Sequence, residues 1–108
     1  MKIILMSVLA LGVLSSNTYA GCGQVGCSDV KVSRLYLKSD GDIAIGTSDD
    51  EKKIKNCKSS RYIYLSKKHP LFKEIYATLL STKRADEKVF IRTVTSPKSC
   101  YLSYLVVL

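Results

Sequence analysis

Cys22, Cys27, Cys57 and Cys100 are the residues of this chain best suited to chemistry. Cysteines ligate metals, attack carbonyls or oxidise to disulfides, and spacing and compartment choose among these outcomes. Four residues separate Cys22 from Cys27, and His69 is the only histidine. With Cys57, Cys100 and His69 far along the chain, the spacing falls short of a zinc site, so no metal is expected. His69 stands beside Pro70 and reads as an exposed turn residue rather than a general base. Asp49, Asp50 and Glu51 are consecutive, so their side chains diverge and read as a solvated turn rather than an acid–base pair. No serine is framed by a glycine motif, and four paired cysteines leave no nucleophilic thiol. The expectation is a protein without catalytic residues or cofactor, not an enzyme.

The compartment follows from residues 1–20, MKIILMSVLALGVLSSNTYA. A single charge at Lys2 precedes an apolar run from Ile3 to Leu14, and small residues flank a cleavage position after Ala20. That pattern predicts a secretory signal peptide. The apolar run is too short to span a bilayer, so no stable membrane anchor is expected. A lipoprotein reading would acylate Cys22, but Tyr19 stands three residues before it, where lipoprotein signals favour leucine. The mature chain would then be residues 21–108, a single domain, secreted or periplasmic. Removing Lys2 from 17 basic residues leaves 16 against 9 acidic ones, a net charge of +7. Outside the cytoplasm such a charge points away from nucleic acid and towards anionic glycans or headgroups reached by steering; simple solubility explains it equally well.

An oxidising compartment makes disulfides available, and a domain this small benefits from them. Four cysteines allow three connectivities. The favoured one joins Cys22 to Cys27 around flexible Gly23 and Gly26, and Cys57 to Cys100 across the helix described below. The competing arrangement joins one N-terminal cysteine to a core strand.

These residues must be positioned by short elements. VKVSRLYLKSDGDIAIGTS (30–48) alternates as a hairpin, with Asp40-Gly41 a strong two-residue turn signal. A switch of apolar face around Arg34 predicts a bulge. Residues 49–60 read as a polar turn carrying an isolated Ile54 and Cys57. RYIYLS (61–66) alternates again. Leu71, Phe72, Ile75, Tyr76, Leu79 and Leu80 form one stripe on a helix over about residues 70–84, begun by Pro70. VFIRTV (89–94), a turn at TSPKS (95–99) and CYLSYLVVL (100–108) complete the order. Short strands around one helix predict a small α+β, mainly β domain, either a compact barrel or a helix-covered antiparallel sheet.

Residues 21–108 contain six tyrosines, at 36, 62, 64, 76, 101 and 104, and no tryptophan. Tyr76 belongs to the helical stripe and is expected in the core. Tyr62 and Tyr64 share the face opposite Ile63 and Leu65, outside the sheet, where rings near Arg61 or Arg34 suit glycans or a protein partner. Ordinary strand-forming tyrosine is the simpler account of the same residues.

The runs CSDVKVSRLYLKSDGDIAIG, KNCKSS and FKEIYATLLSTKRADEKVFIRTV resemble the B subunits of subtilase-cytotoxin-type and pertussis-like bacterial toxins. The resemblance covers nearly all of residues 27–108. It implies an OB-like antiparallel barrel plugged by the helix. It further implies a homo-oligomer, a pentameric ring that binds cell-surface glycans and carries a separate catalytic subunit. Ser28 stands where such subunits place a serine, just before the first strand, that contacts sialylated sugars. The contact set expected from the residues and the resemblance together is Ser28, Arg34, Tyr36, Tyr62 and Tyr64. The expected function is therefore an exported glycan-binding module. The alternative is an exported structural or inhibitor-like interaction protein with no glycan site.

Overall fold

The computed structural model describes residues 20–94 and 100–108. The signal-peptide reading, apart from Ala20, and the expected turn at 95–99 lie outside them. Six strands and one α-helix are present among the described residues: β1 (Gly21–Gly23), β2 (Gly26–Leu37), β3 (Ile43–Thr47), β4 (Ile63–Leu65), α1 (Phe72–Ala85), β5 (Lys88–Thr93) and β6 (Leu102–Val107).

The expected hairpin forms between β2 and β3, in the register Leu37↔Ile43, Tyr36↔Ala44 and Arg34↔Gly46. Its connection is longer than the Asp40-Gly41 pair implied. The Gly41 N–H donates to Lys38 O and the Lys38 N–H to Asp42 O. Three residues are thus enclosed, and Gly41 (φ +99°) supplies the positive φ that closes the loop. The pairing slips between Val32 and Arg34, as the change of apolar face required.

β2 starts earlier than the hydrophobic alternation suggested. Gly21–Gly23 folds back on it as β1, with Cys22 directly opposite Cys27. Ser28 therefore lies inside a strand and pairs with Gly21, not in a loop ahead of the first strand. A Cβ on Gly26 would stand 2.0 Å from the Ile91 carbonyl oxygen, so only glycine lets β2 approach β5 there.

The sheet runs β4-β3-β2-β5-β6 with antiparallel neighbours, and β1 attached to β2. It closes on itself where Tyr64 forms a parallel bridge with Tyr101 and donates its N–H to Cys100 O at 2.8 Å. Along the chain the helix falls between β4 and β5. The domain is a small antiparallel OB-like barrel.

Its interior holds Ile45, Ile54, Ile63, Leu65, Leu79, Val89 and Ile91, all fully buried. The segment read as a polar turn is two short 3-10 turns, at Glu51–Lys53 and Lys55–Cys57, that swing Ile54 and Cys57 into this core. Glu51 is buried too, which corrects its reading as solvated. Its carboxylate accepts from the Thr47 N–H at 2.6 Å and the Thr47 hydroxyl at 2.5 Å, partners that compensate its burial.

α1 begins two residues after Pro70 and buries Ile75, Leu79 and Thr82. Leu71 and Leu80, assigned to the same stripe, sit on its flanks and remain exposed. Asp86 ends the helix at a left-handed φ of 58°, and its carboxylate meets the Lys31 ammonium at 2.9 Å, tying the helix end to β2. His69 is half-buried, not exposed. Its Nδ1 accepts from the Leu71 N–H at 3.0 Å, so its Nε2 carries the proton given to Ser103 O at 2.8 Å. Both ring nitrogens are engaged in holding the helix start against β6.

The structure pairs Cys22 with Cys27 and Cys57 with Cys100. All four cysteines are buried.

Candidate functional site

On the outer face of β2, β3 and β4, large side chains flank a strand of small ones. β3 presents Ala44 and Gly46 outward, and both are buried despite facing away from the core. Arg34 and Tyr62 cover Gly46 from either side: a Cβ placed on it would lie 3.2 Å from the Arg34 Cβ and 3.6 Å from the Tyr62 ring. Tyr36 and Tyr64 flank Ala44 in the same way, from the two neighbouring strands. The small residues make a trough, and the tyrosines and Arg34 are its walls.

Those walls touch one another. The Arg34 Nη1 donates to the Tyr62 hydroxyl at 3.3 Å, which raises the guanidinium pKa further and keeps the charge fixed on this face. Tyr36 and Tyr62 meet edge to face at 5.3 Å between centroids, and the Arg34 guanidinium lies 5.9 Å from the Tyr36 centroid. Tyr36 is 50% exposed, so its packed ring still presents surface to solvent.

The row continues past β4. Tyr64 and Tyr101 stand 6.0 Å apart, brought together by the bridge that closes the barrel. The Lys38 ammonium lies 4.6 Å from the Tyr64 centroid and 3.3 Å from Asp40, whose hydrogen bond raises the lysine pKa. The Tyr101 hydroxyl donates to Asp42 at 3.2 Å; burial and then the Asp42 charge push its pKa up, so it stays a neutral donor. Asp42 is itself held by the Lys67 N–H at 2.9 Å. Four tyrosines thus cross three inter-strand spacings, about 14 Å, with Arg34 against Tyr36 and Tyr62 and Lys38 over Tyr64.

Of the expected contact set, Arg34, Tyr36, Tyr62 and Tyr64 come together. Ser28 does not join them: it lies eight residues down β2 from Tyr36, past the bulge, on the β1 side of the barrel. Lys38 and Tyr101 were missed. The Lys38 ring contact depends on how the Lys38–Asp42 loop folds back. Tyr101 reaches the row through the parallel closure, which no local pattern encodes. A legible clue was the small pair at Ala44 and Gly46, two positions apart on a strand otherwise rich in β-branched residues.

Comparison with family models, curated proteins and solved structures gives no match, so the face is read from its own chemistry. Among the described residues no three His, Cys, Asp or Glu side chains are grouped to hold a metal ion. No thiol is free, and His69 is committed to backbone partners. The row offers flat apolar surface, hydroxyls and two cations.

Proposed function

We propose that this chain is an exported, non-enzymatic binding module whose tyrosine row recognises cell-surface glycans carrying negative charge. The observation that supports this reading is the trough of Ala44 and Gly46 walled by Arg34, Tyr36, Tyr62 and Tyr64, with Tyr101 and Lys38 set against Tyr64. A pyranose ring has an apolar face of C–H groups rimmed by hydroxyls, and a tyrosine pairs an apolar ring with a polar tip. Arg34 suits a carboxylate or sulfate group, because its guanidinium offers donors in a planar fork. Export is supported by the N-terminal pattern and by two disulfides that fit an oxidising compartment. Among the described residues no helix is long and apolar enough to cross a membrane.

The test is an array of neutral, sialylated and sulfated glycans probed with the disulfide-bonded protein, then repeated with Tyr62→Ala and Arg34→Ala. Acidic glycans should bind, and each substitution should weaken binding by at least about ten-fold, as truncation of a central aromatic or arginine contact does. Absence of binding to every glycan at high protein concentration would refute the reading and leave an exported interaction protein with no sugar site.

A further inference from the structure

β6 is an edge strand over most of its length. Leu108 donates its N–H to Lys88 O, and the register pairs Phe90 with Val106 and Arg92 with Tyr104. In such an antiparallel ladder alternate residues exchange bonds with the neighbour, so the N–H and C=O groups of Ser103, Leu105 and Val107 point the other way. On that side, among the described residues, the sheet closes at Tyr101 alone. The Ser103 carbonyl is already taken by the His69 Nε2 at 2.8 Å. Leu105 and Val107 thus each retain a donor and an acceptor directed at an open edge.

Folded proteins usually blunt such an edge with lysine, proline or an inward charge. Residues 100–108 contain none of these, in a chain of formal charge +8. Outward on the same strand, Tyr104 is 46% exposed, Val106 41% and Leu108 61%. They continue onto the half-buried Phe90, whose ring lies 6.0 Å from that of Tyr104. The strand therefore carries unpaired backbone and bare apolar side chains together.

We infer that β6 pairs antiparallel with β6 of a second copy of this chain, about a two-fold axis at Val106. This register follows from the groups left open. It places Leu105 opposite Val107 of the other copy, and Val107 opposite Leu105, which satisfies both donors and both acceptors on each side. It sets Val106 against its own counterpart, at the close non-hydrogen-bonded spacing. It also lays Tyr104 beside Leu108 of the other copy, so the exposed apolar set covers itself. A second copy is the occupant that the charge distribution favours. Two molecules of like charge repel wherever their basic surfaces meet, and this strand is free of side-chain charge. The pairing uses Tyr104 to Leu108 and none of the residues of the tyrosine row, which ends at Tyr101, so it does not rest on the glycan reading.

A contact of this size belongs with weak interfaces, so the disulfide-bonded protein is studied up to about 100 μM. Light scattering coupled to size exclusion should give the mass of two copies at the upper concentrations. Val107→Pro removes a donor that faces the open edge and leaves the β5 ladder intact. It should shift the dimer midpoint at least ten-fold upward in concentration, with the far-ultraviolet circular dichroism unchanged. Val106→Lys, which sets like charges opposite each other on an exposed face, should do the same and decides the matter if the proline variant fails to fold. A single-copy mass for the unsubstituted protein at the highest concentration would overturn the inference. So would a larger ring, or a two-copy mass that survives the substitutions.

Discussion

Asp49 carries two tasks beside β1. Its carboxylate accepts the Cys22 N–H at 2.7 Å and meets the Lys53 ammonium at 3.2 Å. The Cys22 bond first, then that of the Asp50 N–H and the nearby Lys53, lower its pKa against a partial opposing effect of burial. Because the folded chain binds this proton less readily than the unfolded one, protonation favours unfolding. The contribution of Asp49 is therefore whole above about pH 4, the ordinary carboxylate value, and is lost as pH falls through the lower folded value. Urea unfolding between about pH 2 and 6 should show a shallower acid decline in Asp49→Asn than in the unsubstituted protein. Parallel decline of the two would remove Asp49 from the acid response. Glu51, two residues on, shows why the acidic run misled: successive side chains diverge in direction, and of the three carboxylates that of Glu51 reaches Thr47 in the interior.

Elements in this domain are short, and covalent links compensate. The Cys57–Cys100 bridge closes 42 intervening residues, spanning β4, α1 and β5, whereas Cys22–Cys27 closes only a tight hairpin. On chain entropy the long loop contributes about 4 kcal/mol and the short one about 2 kcal/mol. Replacing each pair by serines should lower the unfolding free energy in that order, with the larger loss for 57 and 100. Thermal or denaturant unfolding checks this, and equal losses would show that the hairpin bridge acts through native packing instead. The hairpin itself escaped notice because its glycines and cysteines carry no alternation of apolar and polar residues. Its register is set by Cys22 facing Cys27 and by the close passage of Gly26 over Ile91.

At the scale of the whole molecule, charge and surface divide the labour. The net +7 expected after cleavage would raise the local concentration of the acidic glycans proposed as ligands around the tyrosine row. Raising ionic strength from about 0.01 to 0.15 M shortens the screening length from about 30 to 8 Å. The association rate for an acidic glycan should therefore fall several-fold, with a smaller change in dissociation. A rate insensitive to salt in a stopped-flow or surface-binding measurement would assign recognition to the contacts alone. The uncharged β6 edge is the counterpart of this basic surface, the place where two copies meet without that repulsion.

The chain's own pattern determined the hairpin around Gly41, the bulge near Arg34, the amphipathic helix and the outward set of Tyr62 and Tyr64. Each depends on residues close in sequence, where periodicity and turn chemistry act directly. Tertiary structure decided the rest. Barrel closure brought Tyr101 to Tyr64, and the pairing of β4 and β2 on either side of β3 placed Tyr62 beside Arg34 and Tyr36. The same closure left Ser28 on the far side of the barrel, away from the contact set it was expected to join. Non-local pairing depends on which strands meet, and an alternating pattern specifies the face of a residue without naming its neighbour.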